Sequence, residues 1–168
     1  MHDVVKELGF LTLGTRFRRI GESLQAQAHE VLAAHGLDMP AAHFPLLAAL
    51  DRLGPLSVSE LGQAVGVSQP VVSRSLLGLT EQGLVESRAM GSDLRVRQVQ
   101  LSRKGRKLVD HAKQAVWPVV EAAVAQACQP LQGSLLDQLA ALEAALEHTP
   151  LLQRAAAAQA PTPHRRTP

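Results

Sequence analysis

The sequence predicts an all-α fold interrupted by one small β-hairpin, and three observations predict it. Apolar residues recur at three-, four- and seven-residue steps along most of the chain. Two short Ser-capped helix signatures are separated by Gly66 and followed directly by alternating stretches around Gly91-Ser92-Asp93. Near the C-terminal end, Leu135, Leu139, Leu142 and Leu146 keep heptad spacing.

The elements follow in order. Leu13, Phe17, Ile20, Leu24 and Val31 form one apolar stripe, so residues 8–35 read as a long amphipathic helix ended by Gly36. A second helix follows Asp38 and Pro40 and stops at Gly54-Pro55, with Pro45 inside it predicting a kink or a frayed first turn. Ser57-Val58-Ser59-Glu60 is a capping box, which opens a short helix through Val65. After Gly66, Ser68-Gln69-Pro70 opens another helix, whose core stripe is Val72, Leu76 and Leu79 and whose end is Gly83. Two helices joined by a tight Gly-containing turn are a helix-turn-helix signature. Residues 84–88 and 94–101 read as the strands of a hairpin with an Arg-bearing tip. Ser102 caps a helix running to Cys128 and bent near Pro118, and a last helix covers residues 134–152. From Ala155 the Ala/Gln/Pro/Thr composition with Arg165 and Arg166 reads as a mobile tail.

Composition narrows the function. At 168 residues the chain is about one domain's worth, with 46% hydrophobic and 19% charged residues. Trp117 is the single Trp, Phe is limited to Phe10, Phe17 and Phe44, and Tyr is absent, which excludes base-stacking platforms for single-stranded nucleic acid. The single cysteine, Cys128, excludes an internal disulfide and a Cys-rich zinc module and fits a reducing cytosol. No apolar run reaches membrane-spanning length, and Met1–Glu7 mixes acid and base without an h-region, so neither membrane anchoring nor a signal peptide is expected.

The formal net charge of +2 conceals a segregation. Residues 86–113 hold eight bases against three acids, whereas residues 1–85 and 114–160 are each net acidic. A basic block over the hairpin and the start of the following helix suits an anionic polymer. On the second motif helix, the side away from the core presents Gln69, Pro70, Val71, Ser73 and Arg74 next to the cap Ser68, the end that a recognition helix inserts into the major groove. Gln69 suits adenine, Arg74 guanine or phosphate, and Val71 a thymine methyl. Arg88 and Arg97 are further candidates for phosphate contact. Arg103, Lys104, Arg106 and Lys107 either face phosphates or solvate their helix.

No nucleophile elbow, P-loop, dinucleotide fingerprint or acid–base constellation is present, so no enzyme is predicted and no cofactor is expected. His29-Glu30 superficially resembles a zinc-protease helix, but Ala33 stands where the second His is required. His35, His43 and His111 form no ligand spacing, so no metal site is assigned.

The combination of Leu56-Ser57-Val58-Ser59-Glu60-Leu61, Val72-Ser73-Arg74, Gly83-Leu84-Val85, Asp93-Leu94-Arg95 and Leu101-Ser102-Arg103-Lys104-Gly105, in this element order over about residues 8–150, resembles the MarR family of bacterial winged-helix regulators. The resemblance implies a winged helix-turn-helix with N- and C-terminal helices forming a dimerisation domain. It implies a homodimer on a pseudo-palindromic double-stranded DNA operator, acting as a repressor that a small-molecule effector releases. Arg95 would reach the minor groove with Asp93 orienting it. Dimerisation would use Leu13 with Leu135, Leu139, Leu142 and Leu146. An effector pocket would lie near Phe17, Ile20, Phe44, Leu47 and Trp117. Some relatives oxidise a cysteine near the first helix; Cys128 lies elsewhere and reads as a packed thiol.

The expected organisation is a dimerisation helix at 1–35, the DNA-binding region at 38–102, connecting and C-terminal dimerisation helices at 103–152, and a tail at 153–168. The alternative is a protein-interaction module, or the regulatory half of a former acetyltransferase fusion, that uses the winged helix without DNA.

Overall fold

A computed structural model describes residues 2–89 and 97–159. The chain divides into two compact units, one through Ala122 and one from Ala123 onward.

The first unit opens with a short helix α1 (Val4–Glu7) and a 3-10 turn (Gly9–Thr12) before the long helix α2 (Leu13–Ala34). The expected single helix from residue 8 is therefore broken. Gly9 adopts φ +56°, and Asp3 caps α1 by accepting from the Lys6 N–H at 3.3 Å. Arg19 reaches back from α2 to grip both Asp3 carboxylate oxygens at 2.9 and 3.3 Å, and the Thr12 hydroxyl donates to the Val5 carbonyl at 2.6 Å. The Arg19–Asp3 contact spans 16 positions, a separation at which helical periodicity carries no information about the break.

Helix α3 (Phe44–Leu53) follows a 3-10 turn at Ala41–His43. Pro45 lies in the first turn of α3, where its missing N–H would have had no helical partner, so the turn is tightened and the helix body carries no kink. Helices α4 (Val58–Val65) and α5 (Gln69–Glu81) form the helix-turn-helix. Strands β1 (Val85–Ala89) and β2 (Arg97–Leu101) pair antiparallel, with Val85 opposite Leu101 and Ala89 opposite Arg97. Leu56 adds a one-residue bridge on the other edge of β2, exchanging backbone bonds with Val99 at 3.0 and 2.7 Å. This third β contact has no periodicity of its own to reveal it.

Helix α6 (Arg103–His111) begins at Ser102, whose side chain accepts from the Gly105 N–H at 2.9 Å. A π-helical turn at Ala112–Val116 connects it to α7 (Trp117–Cys128). The expected irregularity near Pro118 is this wider turn: Pro118 cannot donate to the carbonyl four residues earlier, and the preceding turn absorbs the mismatch.

One core holds the unit together. Leu47, Leu61, Val72, Leu79, Val109 and Val116 are completely buried, so α3, both motif helices, α6 and the π turn share one apolar interior, which the strands close with Val85, Val99 and Leu101.

The second unit contains the end of α7, then α8 (Leu135–His148) and α9 (Leu151–Gln159). Ser134 caps α8 by accepting from the Asp137 N–H at 3.2 Å. The last helix ends at His148 instead of 152, and a separate helix occupies the first part of the supposed tail. Arg154 donates back to the carbonyls of Thr149 and Ala145 at 2.8 and 2.6 Å, and the alanine run has high helix propensity. Among the described residues no helix is long and apolar enough to cross a membrane.

Candidate nucleic-acid interface

The capping box is complete. Glu60 N–H donates to the Ser57 hydroxyl at 3.2 Å, and Ser57 N–H donates to the Glu60 carboxylate at 2.7 Å. Hydrogen bonds from Ser57 hold the Glu60 carboxyl below its ordinary range, so it stays ionised at the positive end of α4. Ser57 and Glu60 are therefore explained by helix initiation.

The turn between α4 and α5 depends on a close approach. A Cβ on Gly62 would stand 2.8 Å from the Val67 carbonyl oxygen, and Val67 N–H donates to the Gly62 carbonyl at 3.0 Å. Gly66 supplies the left-handed residue, φ +68°, that ends α4. Ser68 then adopts the extended geometry of an N-cap, but its hydroxyl makes no capping bond; only its carbonyl accepts, from Val71 and Val72. The expected side-chain cap is thus absent at this helix.

Helix α5 buries Val72, Leu76 and Leu79 against the core as its spacing requires. At 100° per residue the opposite side carries Pro70, Ser73, Arg74 and Leu77, with Val71 on its flank, while Gln69 lies on the core side at the first helical position; all six are exposed. Leu77, 66% exposed, joins this side in addition to the residues expected there. The available signal was its position outside the core stripe, three residues beyond Arg74.

The base of the hairpin is stapled to both neighbouring helices. Ser102 donates its hydroxyl to the Gly83 carbonyl at 2.6 Å while its backbone N–H donates to the Leu84 carbonyl at 2.9 Å. Lys104 Nζ donates to the Gln82 carbonyl at 2.8 Å, which neutralises the end of α5, and Arg106 donates to the Leu101 carbonyl at 2.7 Å. Two of the four cations at the start of α6, Lys104 and Arg106, therefore have structural partners. Arg103, Lys107 and Arg88 are exposed. Arg97 begins β2, while Asp93 and Arg95 lie outside the described residues.

A cavity of about 480 Å³ lies within the first unit, lined by Ala28 and Leu32 of α2, Phe44, Pro45, Ala48 and Arg52 of α3, and Trp117, Val120 and Glu121 of α7. Phe44 and Trp117 meet edge to face, with centroids 6.3 Å apart and planes at 88°. The Trp117 indole N–H is buried without a hydrogen-bond partner among the described residues. Of the five residues expected to form a pocket, Phe44 and Trp117 line this one. Leu47 lies fully buried in the core and outside the lining, and Phe17 and Ile20, 41% and 49% exposed, lie elsewhere on α2.

Leu13 is half-buried in the first unit. In the second, Leu135, Leu139 and Leu142 are half-buried and Leu146 is 41% exposed. His29 donates to the Met39 carbonyl at 2.9 Å and His35 to the Val31 carbonyl at 2.8 Å, so local bonds account for both. Among the described residues no three His, Cys, Asp or Glu side chains are grouped to hold a metal ion. Cys128 is partly buried at the end of α7.

Residues 37–95 match the model of the MarR family. Among solved structures, a MarR mutant from E. coli complexed with operator DNA is 22% identical over 88% of this chain and 98% of that one, with a TM-score of 0.65. A MarR-family transcriptional regulator from Silicibacter pomeroyi is 27% identical over 85% and 94%, with a TM-score of 0.58. MepR from S. aureus, in a complex with DNA, is 21% identical over 82% and 96%, with a TM-score of 0.64. Residues 37–95 are a MarR-family winged-helix region, and the chain that carries them has the fold of the MarR-family regulators.

Proposed function

We propose that this protein is a sequence-specific double-stranded-DNA-binding transcriptional regulator, acting as a homodimer on a pseudo-palindromic operator and working by binding, not catalysis. The observation that carries the reading is the outward side of α5. Pro70, Ser73, Arg74 and Leu77 stand exposed on a helix whose other side is anchored in the core, and Arg88 of β1 and Arg103 and Lys107 of α6 are exposed as well. A rigid helix with polar, cationic and apolar groups at its exposed end matches the dimensions and chemistry of the major groove.

The hairpin supplies the second contact, with Arg95 in the minor groove and Asp93 orienting it, and Arg97 on phosphate. Two copies would place their recognition helices about 34–36 Å apart, one turn of duplex. The exposed apolar side chains of α2, with the leucines of α8, are the dimer surface in this reading. The cavity under Phe44 and Trp117 would receive a small apolar effector, with Arg52 able to pair with an acidic group on it. Such an effector acts as a release signal for a cytoplasmic repressor if it binds the DNA-free geometry better than the bound one.

Fluorescence anisotropy of the full chain on duplex DNA from upstream of its own gene tests the reading. Specific binding should exceed binding to scrambled duplex by about 10³-fold or more and weaken steeply with salt. Equal affinity for both duplexes, or salt-insensitive binding to a protein partner with no duplex affinity, would overturn it.

A further inference from the structure

We infer that Val71 and Leu77 form an apolar bracket around Arg74 that reads thymine methyl groups on either side of the base pair facing the guanidinium. The inference rests on the proposed DNA-binding role of α5 and names which chemical feature of the operator that helix selects.

The three residues follow one another at three-residue steps, which on an α-helix shifts each about 60° around the axis and about 4.5 Å along it. They make a single oblique stripe across the side opposite Val72, Leu76 and Leu79. Val71 is 49% exposed and Leu77 is 66% exposed, and neither belongs to the apolar cluster that holds the unit together. Their separation along the axis is about 9 Å, or two to three base steps at about 3.4 Å each. A solvent-facing leucine in mid-helix adds nothing to the core, whereas in the major groove the thymine methyl is the apolar mark that distinguishes one base edge from the others.

Charge decides the occupant. The stripe is interrupted by a guanidinium, and the segment that follows α5, residues 86–113, holds eight bases against three acids, with Arg88, Arg103 and Lys107 exposed. A protein helix docking on Val71 and Leu77 would have to bury Arg74 and supply its counter-charge. The edge of a guanine supplies acceptors, and the flanking phosphates supply the negative field. Pro70 and Ser73 complete the face without adding bulk that would hold the two apolar groups away from the base edges.

The test begins with duplexes enriched from a random-sequence pool by the full-length protein and resynthesised with deoxyuridine for thymidine. This removes methyl groups and keeps every base-pair hydrogen bond. Wild type should bind the uridine duplex about tenfold more weakly per half-site, and roughly a hundredfold more weakly as a dimer on two, each buried methyl being worth roughly a factor of four. The double variant Val71→Ala, Leu77→Ala, with folding checked by its thermal transition, should bind both duplexes with equal affinity. Equal affinity of the wild type for the two duplexes overturns the inference and leaves DNA binding standing, and this comparison requires no variant. Full methyl sensitivity in the double variant also overturns it. A pool in which no sequence is enriched overturns the DNA-binding reading and the inference together.

Discussion

A side chain on Gly105 would overlap the carbonyl oxygen of Leu84. The first turn of α6 therefore lies directly on the backbone entering β1, and Ser102 bonds that same junction through Gly83 and Leu84. Backbone meets backbone at this contact, so no flexible side chain can yield. Gly105→Ala should destabilise the protein by about 1–3 kcal/mol or more, and thermal unfolding should show a drop of several degrees. A stability equal to wild type would mean that the hairpin and α6 separate easily. Ser102→Ala should cost about 1 kcal/mol through loss of the cap, with Gly105 still in place.

His43 has its Nδ1 buried without a partner among the described residues, at the start of α3 and close to Gly78 of α5. Burial pushes its pKa below the ordinary 6.5. The folded state therefore takes up this proton less readily than the unfolded chain. The stabilising difference is complete above the unfolded value and is lost as the pH falls below 6.5 through the lower folded value. Denaturant titrations at neutral and mildly acidic pH should show wild type losing more stability across this interval than His43→Leu. Equal losses would assign the pH dependence to other groups.

Arg74 and Arg95 enter the proposed complex differently. Arg74→Ala should weaken specific binding by about 1–3 kcal/mol and relax selectivity at one base pair of each half-site. Arg95→Ala should weaken binding by a similar amount while the protein remains folded and its assembly unchanged. Competition binding at fixed salt, with single-base operator variants, separates the two. Unchanged affinity of a folded Arg95→Ala protein would remove the hairpin tip from the mechanism.

Leu24 is 41% exposed on the same helix as the exposed Phe17 and Ile20. Leu24→Glu should shift sedimentation equilibrium from dimer toward monomer and, because two half-sites are then read independently, lower operator affinity by more than tenfold. A monomeric wild type, or a variant that sediments as the wild type does, would refute α2 as the dimer surface.

Much of this structure is legible because it is local. Ser57 and Glu60 are three residues apart, and their reciprocal bonds follow from that spacing and from the unpaired N–H groups at any helix start. The stripe Val72, Leu76, Leu79 follows from 3.6 residues per turn, and Ser102 and Gly105 form another i, i+3 cap. The outward positions of Ser73 and Arg74 are the complement of that stripe, whereas Gln69 falls on the stripe's own side and is exposed at the first position of the helix. Exposure alone does not distinguish a reading face from a solvated one; the succession of two capped helices, a glycine turn and a hairpin is what marks this side as a candidate reading face.

Packing decided the rest. Lys104 and Arg106 look like phosphate ligands in a basic run, yet each closes on a carbonyl, and only the return of the hairpin base to the end of α5 brings Gln82 within reach. Arg19 closes on Asp3 across 16 positions, and Leu56 joins Val99 across more than 40, distances at which periodicity carries no information. The cavity takes Phe44 and Trp117 but excludes Phe17, Ile20 and Leu47, because enclosure depends on which sides of three helices converge. Local chemistry thus determined where helices start, stop and turn their apolar sides. The tertiary structure determined which charges are engaged and where space is left, because both depend on residues that meet only after the chain has folded.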